Sequence, residues 1–209
     1  MRAMTDVQQK VQQFFDSGVR RHLSTGELLL FPEMEKPAPI SYIVKGRILQ
    51  YDINDEGNRS IVNIYKQGAF FPLPVAINNA SIEYFFEADG DVEIRQMSAT
   101  GVRDFLRQEP DVMYDVLSRM YRGLDGLLGR MTQLLSGDAK SRILYELYIL
   151  RQRFGTTVSD GVEVSVTAGR LAEMTGLTRE TVSRTLKLLQ YSGVVRLRRG
   201  VVTILAPIA

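Results

Sequence analysis

Seven apolar residues between Met113 and Leu134 constrain this chain more than any other feature. Met113, Leu117, Met120, Leu124, Leu127, Met131 and Leu134 follow one another at spacings of 4, 3, 4, 3, 4 and 3. That is an a/d seam kept for three heptads without a slip, the pattern of a two-stranded coiled coil. A flanking stripe of Val116, Tyr121, Leu128 and Leu135 widens the apolar surface. Pro110 stands before the seam, so the pattern reads as one helix from Asp111 to about Ser136. About 25 residues at 1.5 Å each make a rod of roughly 38 Å. Such a helix can pack within its own chain or against a second copy, and two apolar surfaces to cover favour a homodimer. Ser136-Gly137-Asp138 then ends the rod, with Gly137 near the C′ position and Asp138 capping a following helix to about Phe154. The hinge and domain boundary are expected there.

On the N-terminal side the periodicity is short. Asp6–Asp16 reads as an amphipathic helix capped by Thr5 or Asp6, with Val7, Val11, Phe14 and Phe15 on one side. Strand patterns follow at Glu27–Phe31, Ser41–Tyr51, Ser60–Tyr65, Ile82–Ala88 and Val92–Met97. Asn54-Asp55-Glu56-Gly57-Asn58 is a hairpin loop, and Asp89-Gly90 reads as a second hairpin turn or a bulge within one longer strand. Pro37, Pro39, Pro72 and Pro74 sit at run edges, where a missing donor is tolerated. Short strands at this spacing argue for an antiparallel sandwich, roll or barrel. A short helix over residues 99–108 closes the region.

The C-terminal side carries the most specific motif, from Thr167 to Leu189. Thr167 caps a short helix whose Leu171 and Ala172 face inward. Gly176 falls where a tight helix–helix turn needs positive φ. Thr178 caps a second helix with Val182, Leu186 and Leu189 as its buried face. Ala172 lets the two helices cross closely, with Val182 beneath it, so three separate steric needs of a helix-turn-helix are met at the required offsets. The opposite face of the second helix projects Arg179, Glu180, Ser183, Arg184 and Lys187. Arginine forks onto guanine O6/N7 and glutamate accepts from cytosine N4, so Arg179, Glu180, Ser183 and Arg184 are the expected base readers. Glu180 also sits one turn before Arg184, where it can hold that side chain instead. Thr167, Thr178, Thr181 and Lys187 suit phosphate contacts. Val195, Leu197, Val202 and Ile204 then alternate around Arg199-Gly200, a hairpin wing with Arg198 and Arg199 at its tip for the DNA backbone.

Charge agrees with this division. Residues 1–137 hold 15 basic and 18 acidic side chains, and residues 138–209 hold 11 and 6, so only the back of the chain is suited to a polyanion. The chain has 209 residues, enough for two domains and a core that needs no staple. Its cysteine count of zero removes disulfides, thiolate zinc sites, iron–sulfur clusters and cysteine nucleophiles. One histidine, His22, cannot supply the several ligands that a cupin-like metalloenzyme on a similar roll would require. No apolar run approaches a membrane span and Met1–Asp6 carries no signal-peptide core, so a cytoplasmic protein without membrane contact is expected.

The whole order resembles the Crp/Fnr family of bacterial transcription regulators. The likeness is sharpest at Gly176-Leu-Thr-Arg-Glu-Thr-Val-Ser-Arg184, and it extends to Tyr42-Ile-Val-Lys-Gly-Arg-Ile-Leu49 and to Ala139–Gly155, with Arg142 and Arg153-Phe154-Gly155. It implies an α+β chain of three parts. Residues 1–110 would form an antiparallel β-roll sensor of double-stranded β-helix or jelly-roll type, 111–137 the dimerisation helix and hinge, and 138–209 a winged helix-turn-helix. By resemblance the base-reading Arg, Glu and Arg fall on Arg179, Glu180 and Arg184, and Ser183 matches the serine of the Fnr-like branch. The site implied is a palindrome with a TGA-containing half-site. The implied partners are double-stranded DNA, a second copy of the chain and, for an activator, RNA polymerase.

The sensor departs from the family's cyclic-nucleotide cassette, which pairs Gly-Glu on the ribose with Arg-Ser or Arg-Thr on the phosphate. The comparable stretch, Gly68–Ser81, contains no acid and no arginine. A buried phosphate without a cationic partner is costly, so no cyclic nucleotide is expected. Haem on His22, beside Arg20 and Arg21, is not expected either, and no cofactor is evident. Phe70-Phe71 and Tyr84-Phe85-Phe86 either line an apolar effector pocket or belong to the core. The roll is thus read as the site of an unidentified effector, with a constitutive regulator whose roll only contacts proteins as the alternative. Gly123, Gly126 and Gly129 interrupt the long helix off its seam, each at roughly 1 kcal/mol relative to alanine. Either they weaken a rod that orders when an effector docks, or they let the helix approach the roll closely.

Overall fold

The computed structural model describes residues 5–34 and 37–205; the Met1–Met4 stretch used in the signal-peptide argument lies outside them. The chain divides into two compact units, up to Met120 and from Tyr121 onwards. This division falls inside the long helix, ahead of the expected hinge at Ser136-Gly137-Asp138.

The first unit opens with α1 (Asp6–Asp16). Thr5 and Gln8 exchange side-chain and backbone hydrogen bonds there as a capping box. Its Val11 and Phe15 are buried, and Phe14 stacks on Phe105 with centroids 4.1 Å apart. Eight strands then form two four-stranded antiparallel sheets. One has the order β1 (Val19–Leu23), β8 (Val92–Met97), β3 (Ile40–Lys45), β6 (Phe70–Phe71). The other has the order β2 (Leu28–Leu30), β7 (Phe85–Ala88), β4 (Arg47–Ile53), β5 (Arg59–Lys66). A short helix α2 (Leu73–Asn78) and the helix α3 (Ala99–Gln108) complete the roll. The core joins both sheets through Ile40, Ile43, Ile48, Phe71 and Ile94, each at most 1% exposed. Full burial of such side chains contributes about 1.5–3 kcal/mol apiece.

Two expected features are corrected. The Ser41–Tyr51 run is two strands in different sheets, because the chain turns a corner at Gly46. Asp89-Gly90 is neither a hairpin turn nor a bulge, because β7 and β8 also lie in different sheets. The two corners touch. Gly46 has φ +94°, and a Cβ there would stand 2.6 Å from the Asp91 carbonyl oxygen. The Asp89 amide donates to the Arg47 carbonyl at 3.0 Å, and the Arg47 guanidinium pairs with the Asp89 carboxylate at 2.9 Å.

Several elements escaped the sequence reading. Strand β1 is Val-Arg-Arg-His-Leu, exposed except at Leu23, because it is a sheet edge blunted by charge. Helix α2 begins beside Pro72 and Pro74, tolerated because the first helical turn needs no amide donor. Strands β9 (Thr156–Val158) and β10 (Gly161–Ser165) lie in the second unit, where the expected two-stranded wing is half of a larger sheet.

Helix α4 (Pro110–Ser136) buries Val112 and Val116. Met113 is half-buried against the roll core, so Val116 and Met113 serve this unit and the exposed seam starts at Leu117. Lys10 of α1 reaches Glu109 and Asp111 at 2.8 Å each, across the α3–α4 corner. In the second unit α4 packs against α5 (Ala139–Phe154). Here the glycine expectation changes. A Cβ on Gly129 would collide with the Tyr145 ring of α5, and one on Gly126 would touch Ile149 at 3.7 Å, whereas one on Gly123 meets nothing within 4 Å. The close approach is therefore at Gly129, to α5 and not to the roll, while Gly126 stands at ordinary contact distance and Gly123 meets nothing, so neither of these two has a steric reason. Gly137 ends α4 without positive φ, where a Cβ would lie 2.7 Å from the Gln133 carbonyl oxygen.

These contacts give opposite signs to two glycine substitutions. Gly46→Ala strains a left-handed residue against a carbonyl and should cost about 1–3 kcal/mol. Gly123→Ala should gain about 0.5–1 kcal/mol in a helix interior. Urea-unfolding midpoints of both variants, measured beside the parent, check the signs.

Candidate nucleic-acid interface

The second unit builds the candidate surface from two short helices and a four-stranded sheet. Helix α6 (Ala168–Thr175) starts at Thr167, whose hydroxyl accepts the Arg170 amide at 3.1 Å. It ends at Gly176, with φ +66° and ψ +24°, the left-handed turn that a side chain would strain. Thr178 then caps α7 (Arg179–Tyr191) by accepting the Thr181 amide at 3.1 Å. Leu171, Val182, Leu186 and Leu189 are buried as expected. Ala172 is only half-buried; the buried positions of α6 are Leu171 and Thr175, whose hydroxyl donates to the Leu171 carbonyl at 2.6 Å. With that bond the hydroxyl is satisfied in the interior.

The outward side of α7 carries Arg179, Glu180 and Arg184 exposed and Ser183 half-buried, with Lys187 exposed one turn on. Arg184 donates to the Glu180 carboxylate at 2.6 Å. The pair spans one turn and both side chains are at least 70% exposed, so it steers Arg184 without adding much stability. The Thr178 and Thr181 hydroxyls share one hydrogen bond at 2.9 Å, and Thr167 is exposed at its cap. Among the described residues no carboxylate pairs with Arg179 or Lys187.

The sheet runs β11 (Val195–Arg198), β12 (Val201–Ile204), β10, β9. Val195, Val202 and Ile204 are buried and Leu197 half-buried, while Arg198 and Arg199 are exposed around Gly200, with φ +73°. Arg198 stands 3.8 Å from Glu163, so its charge is partly offset; among the described residues Arg199 has no acidic partner. The sequence reading missed Arg196, which forks onto Asp160 at the β9–β10 turn. The Asp160-Gly161 dipeptide before alternating Val162, Val164 and Val166 was the available signal for that hairpin.

In the roll, Gly68–Ser81 receives guanidinium groups from outside itself. Arg103 of α3 donates to the Ala76 carbonyl at 2.6 Å and to the Asn79 side chain, and Arg119 of α4 donates to the Gly68 carbonyl at 3.3 Å. Tyr65, Phe71 and Phe86 form a three-ring cluster, with centroids 4.6 Å (Tyr65–Phe71), 5.3 Å (Phe71–Phe86) and 6.2 Å (Tyr65–Phe86) apart. Phe70, Phe71 and Phe86 are thereby core residues. Tyr84 packs beside that core, and Phe85 stacks on Tyr51. His22 is exposed on β1. Among the described residues no group of three or more His, Asp or Glu is placed to hold a metal. None of their helices is long and apolar enough to cross a membrane.

Residues 141–209 match the model of the Crp-like helix-turn-helix domain, and residues 20–109 that of the cyclic nucleotide-binding domain. The chain is 26% identical over 185 residues to the cAMP-activated global transcriptional regulator CRP of Salmonella typhimurium, covering 88% of each. It is also 26% identical over 202 residues to the nitrogen fixation regulation protein FixK of Bradyrhizobium diazoefficiens, covering 95% of this chain and 83% of that one. Among solved structures, the c-di-GMP responsive global regulator CLP of Xanthomonas campestris superposes with a TM-score of 0.79 at 18% identity, over 95% and 99% of the two chains. A CooA variant from Carboxydothermus hydrogenoformans gives 0.78 at 19% identity, over 93% and 86%.

The Arg196–Asp160 fork makes the wing sensitive to acid. The guanidinium hydrogen-bonded to Asp160 holds that carboxyl below its ordinary range. A depressed pKa contributes stability above the unfolded value of about 3.9, and the contribution is lost as pH falls through the folded value. Asp160→Asn should lower the urea midpoint at pH 7, with the gap to the parent closing below about pH 4. Parallel profiles across that range would mean the fork stabilises nothing.

Proposed function

Because the chain belongs to the Crp/Fnr family of transcription regulators, we propose that it binds a palindromic DNA site as a homodimer. The half-site would contain TGA, read by Arg179, Glu180, Ser183 and Arg184. One observation carries this reading: α7, capped at Thr178, presents those four residues outward from its first two turns. The start of a recognition helix is the part that meets base edges in the major groove. Thr167, Thr178, Thr181, Lys187, Arg198 and Arg199 would hold phosphates and set the register.

Pairing rests on α4. Helix α5 occupies the side of α4 that holds Gly126, Gly129 and Arg130. The seam residues Leu117, Met120, Leu124, Leu127, Met131 and Leu134 stay 41–61% exposed, flanked by Tyr121, Leu128 and Leu135. A contiguous apolar stripe of this size marks an interaction surface, and its heptad spacing suits a second copy of the same helix. Two such chains would set their recognition helices about 34 Å apart, one helical turn of DNA. RNA polymerase is the further partner if the regulator activates.

An effector at the roll would control DNA binding. Gly68–Ser81 holds neither the Gly-Glu nor the Arg-Ser or Arg-Thr pair, and the Arg103 and Arg119 guanidinium groups that reach it donate to backbone carbonyls, which argues against a cyclic nucleotide. A second reading, constitutive binding with a roll that meets only proteins, is favoured by the Tyr65–Phe71–Phe86 cluster, which occupies part of that interior with the chain's own rings.

Selection of duplexes from a random pool by effector-free protein tests the reading. A two-fold palindrome is expected for a constitutive regulator, and enrichment only after an effector is added for a controlled one; no enrichment by the dimeric helix-turn-helix unit itself overturns it. Arg184→Ala should cost roughly 1–3 kcal/mol on the selected site and relax one base position, with little change on random DNA. Leu124→Asp with Leu127→Asp should give monomers in sedimentation.

A further inference from the structure

The seam that would pair two chains lies on α4 and the recognition surface on α7, and α5 stands between them. Helix α5 packs on α6, α7 and β10. Its link to α4 is polar and buried. Arg130 donates from Nε to one Glu146 oxygen at 2.7 Å and from Nη2 to the other at 2.8 Å. The Glu146 side chain is 2% exposed and that of Arg130 21%. Around the fork, Gly129 makes room for the Tyr145 ring, Arg142 donates to the Leu134 carbonyl at 3.1 Å, and Asp138 accepts the Ser141 amide at 2.8 Å.

Apolar helix contacts tolerate small slides and rotations, because one methyl group can exchange for another. A buried bidentate pair has a single low-energy geometry, and fixing register is the best-attested use of such pairs. We propose that Arg130 and Glu146 are positioning residues. They lock the orientation of the recognition unit against the pairing seam, and so set the spacing between half-sites that the protein accepts. The spacing part rests on the dimeric DNA-binding reading above; the locking part does not.

The chain has no cysteine, so a labelled pair is simple to introduce. Thr132→Cys on α4 and Gln190→Cys on α7 are both exposed and off the seam. Spin labels there, diluted with unlabelled chain to isolate distances within one protomer, should give one narrow distribution in the parent. In Glu146→Gln, which keeps shape and loses charge, the distribution should broaden. Arg130→Lys keeps the charge without the fork and should fall between, so the comparison survives if one variant folds poorly. On DNA, Glu146→Gln should accept several half-site spacings and lose about tenfold on the preferred one, while binding to a single half-site stays within about twofold. A distribution that stays narrow in Glu146→Gln overturns the lock, whatever DNA the parent selects. A broadened distribution with unchanged spacing preference overturns the spacing role. No palindrome for the parent, with the distribution still broadening in the variant, supports the lock and defeats the dimeric reading and its spacing claim.

Discussion

The packing of α5 along one side of α4 decides which side chains are left for anything else. Gly126, Gly129 and Arg130 face α5, while Leu124, Leu127, Met131 and Leu134 of the seam stay 45–54% exposed. Earlier along the same helix Val112 and Val116 are spent on the roll. One helix thus divides its circumference among neighbours by residue type: small and charged side chains meet α5, and aliphatic ones point outward. The glycines that looked like weak points separate under this view. Gly129 is required by a close neighbour, whereas Gly126, at ordinary contact distance from Ile149, and Gly123 keep the backbone freedom that a helix interior ordinarily avoids.

Much of this was legible in advance, and the residues explain which part. Heptad spacing, the Thr167 and Thr178 caps and the Gly176 turn are local features, each decided within four residues of itself. They stand in the structure where the sequence places them. The roll was legible as strands but not as sheets. Whether β3 and β4 continue one another or part company depends on Gly46 meeting Asp91, a contact 45 positions away along the chain. Strand β1 was hidden because edge strands carry charge, and charge reads as loop.

The candidate interface follows the same rule. The identities and outward placement of Arg179, Glu180 and Arg184 could be read from one helix, and so could the turn-length pairing of Glu180 with Arg184. The state of the wing could not. Arg198 and Arg196 look equivalent in sequence, yet strand register sets Arg198 at the rim of Glu163 and ties Arg196 to Asp160. Charge counting alone gives the wing three free arginines, and pairing reduces that strongly. In the roll, Gly68–Ser81 looked devoid of cations, and register with two helices supplied Arg103 and Arg119.

The charged edge of the roll bears on how many copies can come together. Strand β1 leaves one side of its sheet open, and Arg20 and Arg21 stand on it, paired with Glu93 and Glu27 of the same chain. Another chain adding there as a fifth strand would bring its side chains beside these exposed charged groups. An apolar stripe shared by two identical helices is self-complementary, so one partner consumes it completely. Growth by strand addition is discouraged at one surface, and growth by helix pairing terminates itself at the other. Pairing of two copies along that stripe, as proposed above, would leave no stripe open to a third.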